Sequence, residues 1–178
     1  MKKSLIIWQI AGFVFTAVMG VILHFLFDWT NQSIFAAPFS AVNESIWEHM
    51  KLLYFPMLLF TIIEKRYVGR EYKNYRFAKL IGISVGVILI PVLYYTINGA
   101  FGRMPDWVNI AMFFVATAMS YFVEIKILAK DDIGSGEEGN AQLVLLVIAI
   151  MFVVWTFVTP QLPLFEDPIT GTYGYWMM

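Results

Sequence analysis

The sequence predicts an all-α membrane protein, a single integral membrane domain (residues 1–178) built as a bundle of five transmembrane helices. Three observations carry that prediction. Hydrophobic residues make up 60% of the 178-residue chain and charged residues only 14%, where a soluble domain holds roughly half and roughly a quarter. Uncharged runs recur along the chain, each close to the roughly 20 residues that a spanning helix needs. The basic residues are also distributed very unevenly between the connections. With five spans, Lys2, Lys3, Lys65, Arg66, Arg70, Lys73, Arg76, Lys79, Lys126 and Lys130 fall on one side, and only Lys51 and Arg103 on the other. The positive-inside rule then predicts a cytoplasmic N-terminus and an extracytoplasmic C-terminus, in a multi-pass protein of the cell membrane.

The first span is expected over residues 4–27. Its start resembles a secretory signal, but the run from Leu5 to Phe27 exceeds the roughly 7–15 residues of a signal's apolar core. Gly12, Thr16, Gly20, His24 and Asp28 recur every fourth residue, with Gln9 just below. Small residues at that spacing admit a second helix closely, and the drift of such a row suits a crossing partner. His24 and Asp28 ride the same ridge, which turns them toward protein.

Residues 28–43 read as a looped connection, with Phe35 and Phe39 reaching the interface. Span two is expected over 44–64. Pro56 inside it leaves the Leu52 carbonyl without its amide and favours a kink. The basic stretch up to Lys79 suits anionic headgroups. Span three is expected over 78–98, with Gly82 and Gly86 as a second close-packing face and a second proline at Pro91. Asn98-Gly99 through Pro105 is turn chemistry. Span four is expected over 107–128, and a polar, glycine-containing linker follows it. Span five is expected over 141–159, ended by Thr159-Pro160. The tail 160–178 is rich in proline, glycine and aromatics, without helical period.

The candidate site lies where span one ends and span two begins, at the extracytoplasmic mouth. Counting residues at 1.5 Å each places His24, Glu48 and His49 at a similar depth, about one turn below the boundary. His24 and Asp28 share one helical face, as do Glu44 and Glu48, and Lys51 follows Glu48 by three. Ionisable groups in a membrane segment are costly and mark functional sites by default. Glu48, His49, His24, Glu44, Asp28 and Lys51 are therefore the candidates for binding a solute or carrying protons. Each also has an ordinary structural explanation. Ser45-Ile46-Trp47-Glu48 is a capping box, Glu44 would suit the helix dipole, and Glu48 with Lys51 forms a plain i,i+3 pair. Asp28 would be solvated, and Lys51 would snorkel outward. Trp29, Trp47, Tyr54 and Trp107 read as interfacial belt residues. Glu124, near the inner end of span four, reads as snorkelling to the cytoplasmic surface.

Two imidazoles with a carboxylate suit zinc, iron or manganese, so His24, Glu48 and His49 are the expected ligands if a divalent metal binds. The spacing is not diagnostic in the way of H-E-x-x-H. Without cysteine, thiolate ligands, disulfides and a Cys nucleophile are excluded. No Ser-His-Asp order, P-loop or dinucleotide fingerprint occurs, and nothing points to nucleic acid. The expected partners are the bilayer and a second copy of the chain, packed through the Gly12/Gly20 or Gly82/Gly86 face.

The run V-N-E-S-I-W-E-H-M-K-L-L-Y-F-P-M-L and the tail P-L-F-E-D-P-I-T-G-T-Y-G-Y resemble a small family of uncharacterised bacterial integral membrane proteins. The resemblance implies a bacterial membrane and no particular activity. Both stretches fall on the same side of the bundle, so the tail is expected to fold over the polar mouth. The leading functional expectation is a small-solute or ion transporter or channel. A membrane-embedded, metal-dependent enzyme acting on a lipid or small amphiphile is the alternative, and a scaffold or accessory subunit a third. The catalytic residues of such an enzyme are not legible.

Overall fold

The computed structural model describes residues 3–130 and 132–175. Lys2, counted above among the basic residues, Asp131 of the linker and the last three residues of the tail lie outside them. Five helices follow one another: α1 (Lys3–Trp29), α2 (Ile46–Lys65), α3 (Tyr75–Phe101), α4 (Asp106–Leu128) and α5 (Glu138–Phe157). All five are long and apolar enough to cross a membrane, and the chain is a multi-span membrane protein. Among the described residues no strand forms beyond a bridge between Glu166 and Tyr173 in the tail.

The bundle is organised around α2. Of its apolar stretch, 67% is buried inside the bundle, against at most 39% for the other four. It contacts α1, α3 and α5. Its hydropathy is also the lowest of the five, and the two facts belong together. A helix surrounded by helices meets protein partners instead of lipid, so polar side chains on it can be satisfied. Met50, Leu53, Tyr54 and Met57 of α2 pack with Ile83 and Val87 of α3, Ala116 of α4 and Phe152 of α5 in the main core. The lipid-facing surfaces of α1 and α5 carry exposed Ile7, Val14, Leu143 and Val147.

The small residues set the closest approaches, and they do so within the chain. Gly86 lies against Ser120 and Gly82 against Glu124, each where an added Cβ would collide, at 1.9 Å from Ser120 Oγ and 2.3 Å from Glu124 Cγ. The two pairs fix one antiparallel register of α3 on α4. On α1, a Cβ at Gly12 would meet Phe60 and Tyr121, and one at Gly20 would meet Phe113 at 2.7 Å and the Leu52 carbonyl at 3.2 Å. That carbonyl is the one Pro56 leaves without its helical amide. Both faces expected to receive a second copy are thus filled by the chain's own helices, which corrects that expectation.

Two boundaries differ instructively from the sequence reading. Helix α2 starts at Ile46, with Ser45 as its cap, two residues after the expected start. Helix α3 runs past Asn98-Gly99 to Phe101. Asn98 turns its amide back to the Tyr94 carbonyl and accepts the Met104 amide, so its turn chemistry serves the helix end one turn later. Gly102, at φ 81°, stops the helix. Of the expected belt residues, Trp29 and Trp107 are exposed, whereas Trp47 and Tyr54 are core residues. Trp47 packs at tilted angles among Phe152, Trp155 and Phe165, and Tyr54 donates to the Leu145 carbonyl. An aromatic on the central helix finds protein on every side.

Candidate functional site

The late start of α2 partitions the polar run of residues 44–51 into two sites that face different ways. Glu44 precedes the cap and is not helical. It therefore does not share a face with Glu48, as the sequence spacing suggested, and turns to the imidazoles instead. Glu44 Oε2 lies 3.5 Å from His49 Nε2, and Glu44 Oε1 lies 3.8 Å from His24 Nε2. The two imidazole rings are 5.4 Å apart between centroids. One ligand atom from each of His24, Glu44 and His49 fits within a mutual distance of 4.8 Å, the separation of groups able to share a metal ion. Both histidine side chains are about a quarter exposed and Glu44 nearly half. His49 Nδ1 lies 2.9 Å from the Ser45 carbonyl. Donation of an Nδ1 proton there leaves the Nε2 lone pair facing Glu44, the arrangement by which metal-binding histidines are oriented.

Glu48 and Lys51 form the second site, fully buried. Lys51 Nζ lies 2.6 Å from Glu48 Oε2 and donates to the Ala37 carbonyl at 3.0 Å and to Thr156 Oγ1 at 2.9 Å. Glu48 also accepts the Val42 amide at 3.0 Å. The pair therefore ties the 30–45 connection to α2 and α5. Only half of the expected capping box forms. Ser45 Oγ accepts the Glu48 amide at 3.4 Å, while the Ser45 amide goes to Asn43 Oδ1. Glu48, expected with the histidines as a ligand, lies outside the metal-sized group, and Glu44 lies inside it. Lys51, expected to snorkel, does not. Asp28 is exposed on the last turn of α1, one turn beyond His24 and outside the ligand group.

The trio sits on the wall of a cavity of about 500 Å³ between α1, α2 and the facing ends of α3 and α4. Its floor is apolar, with Leu52, Ile90, Met112 and Phe113. Asn98, Arg103, Asp106 and Asn109 also line it; the sequence reading takes Asn98 as turn chemistry and Arg103 as an orientation charge, and places none of the four at the mouth. Pro168 and Ile169 of the tail complete it. The tail is held there by one backbone bond from the Trp47 amide to the Leu164 carbonyl, by the Asn43 side-chain amide on the Gly174 carbonyl, and by Phe165 on Trp47. The tail thus contributes Pro168 and Ile169 to the wall of the mouth.

Below the mouth, the ridge of α1 continues as a column of buried polar contacts. Thr16 Oγ1 meets the Tyr121 hydroxyl at 2.8 Å, and Gln9 Nε2 donates to Glu64 Oε1 at 2.8 Å. At the far end Glu64 of α2, Lys79 of α3 and Glu124 of α4 converge, with Lys79 Nζ bridging both carboxylates. The sequence reading had sent Lys79 to the headgroups and Glu124 to the cytoplasmic surface. Both are buried, because Gly82 opens the α3–α4 contact and lets Glu124 lie across α3. A signal was available. Gly82 and Gly86 are four apart, as are Ser120 and Glu124, and equal spacing on consecutive helices predicts that register.

Residues 1–175 match a family of unknown function, DUF6512. The chain belongs to that family. No curated protein and no solved structure matches it. What this member of DUF6512 does must therefore be argued from its own side chains.

Proposed function

We propose that this protein handles ions: it is a transporter or channel that captures a divalent transition-metal cation at His24, Glu44 and His49, on the extracytoplasmic side of the cell membrane. The observation that carries the reading is the convergence of two imidazole nitrogens and a carboxylate on the wall of a cavity. Two nitrogens and one oxygen suit zinc, iron or manganese. Three protein ligands leave a coordination position open, as a site that must release its ion requires. The buried polar contacts that follow the α1 ridge toward the other end support transport over a mouth-only role.

A second reading has one observation of its own. The cavity has an apolar floor and Arg103 in its lining, which suits an amphiphile with an anionic head set beside a resident metal, in a metal-dependent enzyme. One experiment separates the readings. Purified protein in proteoliposomes is supplied with zinc or manganese outside, and both bound and internal metal are measured. Internal accumulation that His49→Asn abolishes supports transport. Tight binding without accumulation favours the enzyme. Failure to bind either ion overturns both. The proposed orientation is checked with cysteines placed at Ser135 and Thr172 in intact cells, which should label from opposite sides, Thr172 from outside. Equal labelling of both would refute it.

A further inference from the structure

The cluster at the other end of the bundle has an imbalance that the proposed cation site does not touch. Glu64, Lys79 and Glu124 are at most 1% exposed, and Gln9 beside them is 2% exposed. Two carboxyl groups therefore share one ammonium away from water, where an uncompensated charge is costly. The hydrogen bonds are as unequal as the charges. Glu64 accepts from Gln9 Nε2 at 2.8 Å and from the Tyr75 hydroxyl at 3.1 Å, and pairs with Lys79. It is saturated with donors, the environment of an ionised carboxylate. Glu124 accepts from Lys79 at 2.5 Å through Oε2 alone, and its Oε1 has no partner. A second buried oxygen is also without a partner, Oε1 of the same Gln9 amide that donates to Glu64.

We infer that Glu124 carries a proton on Oε1 and donates it to Gln9 Oε1, which makes this cluster a buried proton-binding site. One proton answers three observations together. It balances the charges, with Glu64 negative, Lys79 positive and Glu124 neutral, and it satisfies both orphaned oxygens in a single hydrogen bond. A metal cation in the same gap would stand beside the Lys79 ammonium, and that repulsion favours the proton. The other groups facing the site are neutral hydroxyls: Tyr75 of α3, bound to Glu64, and Tyr121 of α4, bound to Thr16. Gly82 is the device that admits the carboxyl, since a Cβ there would lie 3.0 Å from Glu124 Oε1. The inference goes beyond the metal reading and stands or falls without it.

The test is infrared spectroscopy of the full chain in lipid at neutral pH, where a protonated carboxyl absorbs apart from ionised ones. The parent should show such a band, and Glu124→Gln should remove it. Glu64→Gln should remove it too, because Glu124 would then ionise to balance Lys79. Glu124→Asp should move the band, and Glu64→Asp should leave it in place. No protonated carboxyl in the parent would overturn the inference, and so would a band that survives Glu124→Gln or that moves with Glu64→Asp alone. Should Glu124→Gln fail to fold, Gln9→Leu reads the same bond. Removing the acceptor should shift the band, and an unshifted band would overturn the assignment.

Discussion

The two polar clusters of this protein are built in opposite ways. The mouth cluster comes from the end of α1 (His24), the residue before the α2 cap (Glu44) and the start of α2 (His49), so a single connection brings its members together, and all three are partly exposed. The inner cluster takes one side chain from each of four helices: Gln9, Glu64, Lys79 and Glu124. It is closed to water on every side. Side chains held in water keep their charges at little cost and exchange partners readily, as binding and release demand. Side chains withdrawn from water must satisfy one another, so the inner cluster is rigid and its charge is counted to the last proton. Exposure thus separates the group suited to an exchangeable ligand from the group that the fold cannot lose.

Removing charge should separate the clusters most. Lys79→Met leaves two buried carboxyls without their ammonium, and breaking such a buried pair costs on the order of 3–5 kcal/mol. Thermal unfolding in detergent should show a large loss, and many molecules should fail to fold. If Lys79→Met melts with the parent, water reaches the inner cluster and the comparison collapses.

A smaller effect tests how the inner cluster is housed. Gly82→Leu should overpack the α3–α4 contact and cost about 1–3 kcal/mol, because its Cβ would meet Glu124. Gly139→Leu, where nothing lies within 4 Å of an added Cβ, is the matched control and should be nearly neutral. Equal melting of the two variants would mean that α3 and α4 are not in this register.

The same contrast explains what the sequence made legible. Five spans could be read because lipid imposes apolar length on each helix independently of the others. The mouth residues could be read because Glu44, Glu48, His49 and Lys51 are near neighbours in the chain and His24 lies on an evident ridge. Their partition could not. Whether Glu44 shares a face with Glu48 or turns to the histidines depends on a helix start two residues later than expected, which takes Glu44 out of the helix. The inner cluster was hidden for a different reason. Glu64, Lys79 and Glu124 each sit near a span end, where a lone charged residue normally reaches water. Only the pairing of Gly82/Gly86 with Ser120/Glu124 distinguishes burial from snorkelling there. Trp47 and Tyr54 passed as belt residues on the same ground, since position along a helix says nothing about which helix is central.

The smallest effect on the fold, and the most specific, is expected at the mouth. Because His24, Glu44 and His49 are partly exposed and bear little of the packing, His24→Asn, Glu44→Gln and His49→Asn should each fold and, without metal, melt close to the parent, within about 0.5 kcal/mol. Divalent metal should separate them. Ligand binding at a hundredfold excess over the dissociation constant stabilises a fold by about 2.7 kcal/mol, and the parent should gain that order of stabilisation with zinc or manganese. The three variants should lose most of it, since removing one of three ligands leaves two. Acidification should remove it from the parent as well, because a protonated imidazole has no lone pair for a metal. Stabilisation that is present above the imidazole range and vanishes below it would assign the binding to His24 and His49. Glu48→Gln supplies the contrast within the same six residues. It should weaken the fold in the absence of metal by taking the counter-charge from Lys51, while leaving the metal-induced gain of the surviving folded protein in place. If Glu48→Gln abolishes the metal effect and Glu44→Gln does not, the ligand set is the one with Glu48, and α2 must begin earlier than Ile46.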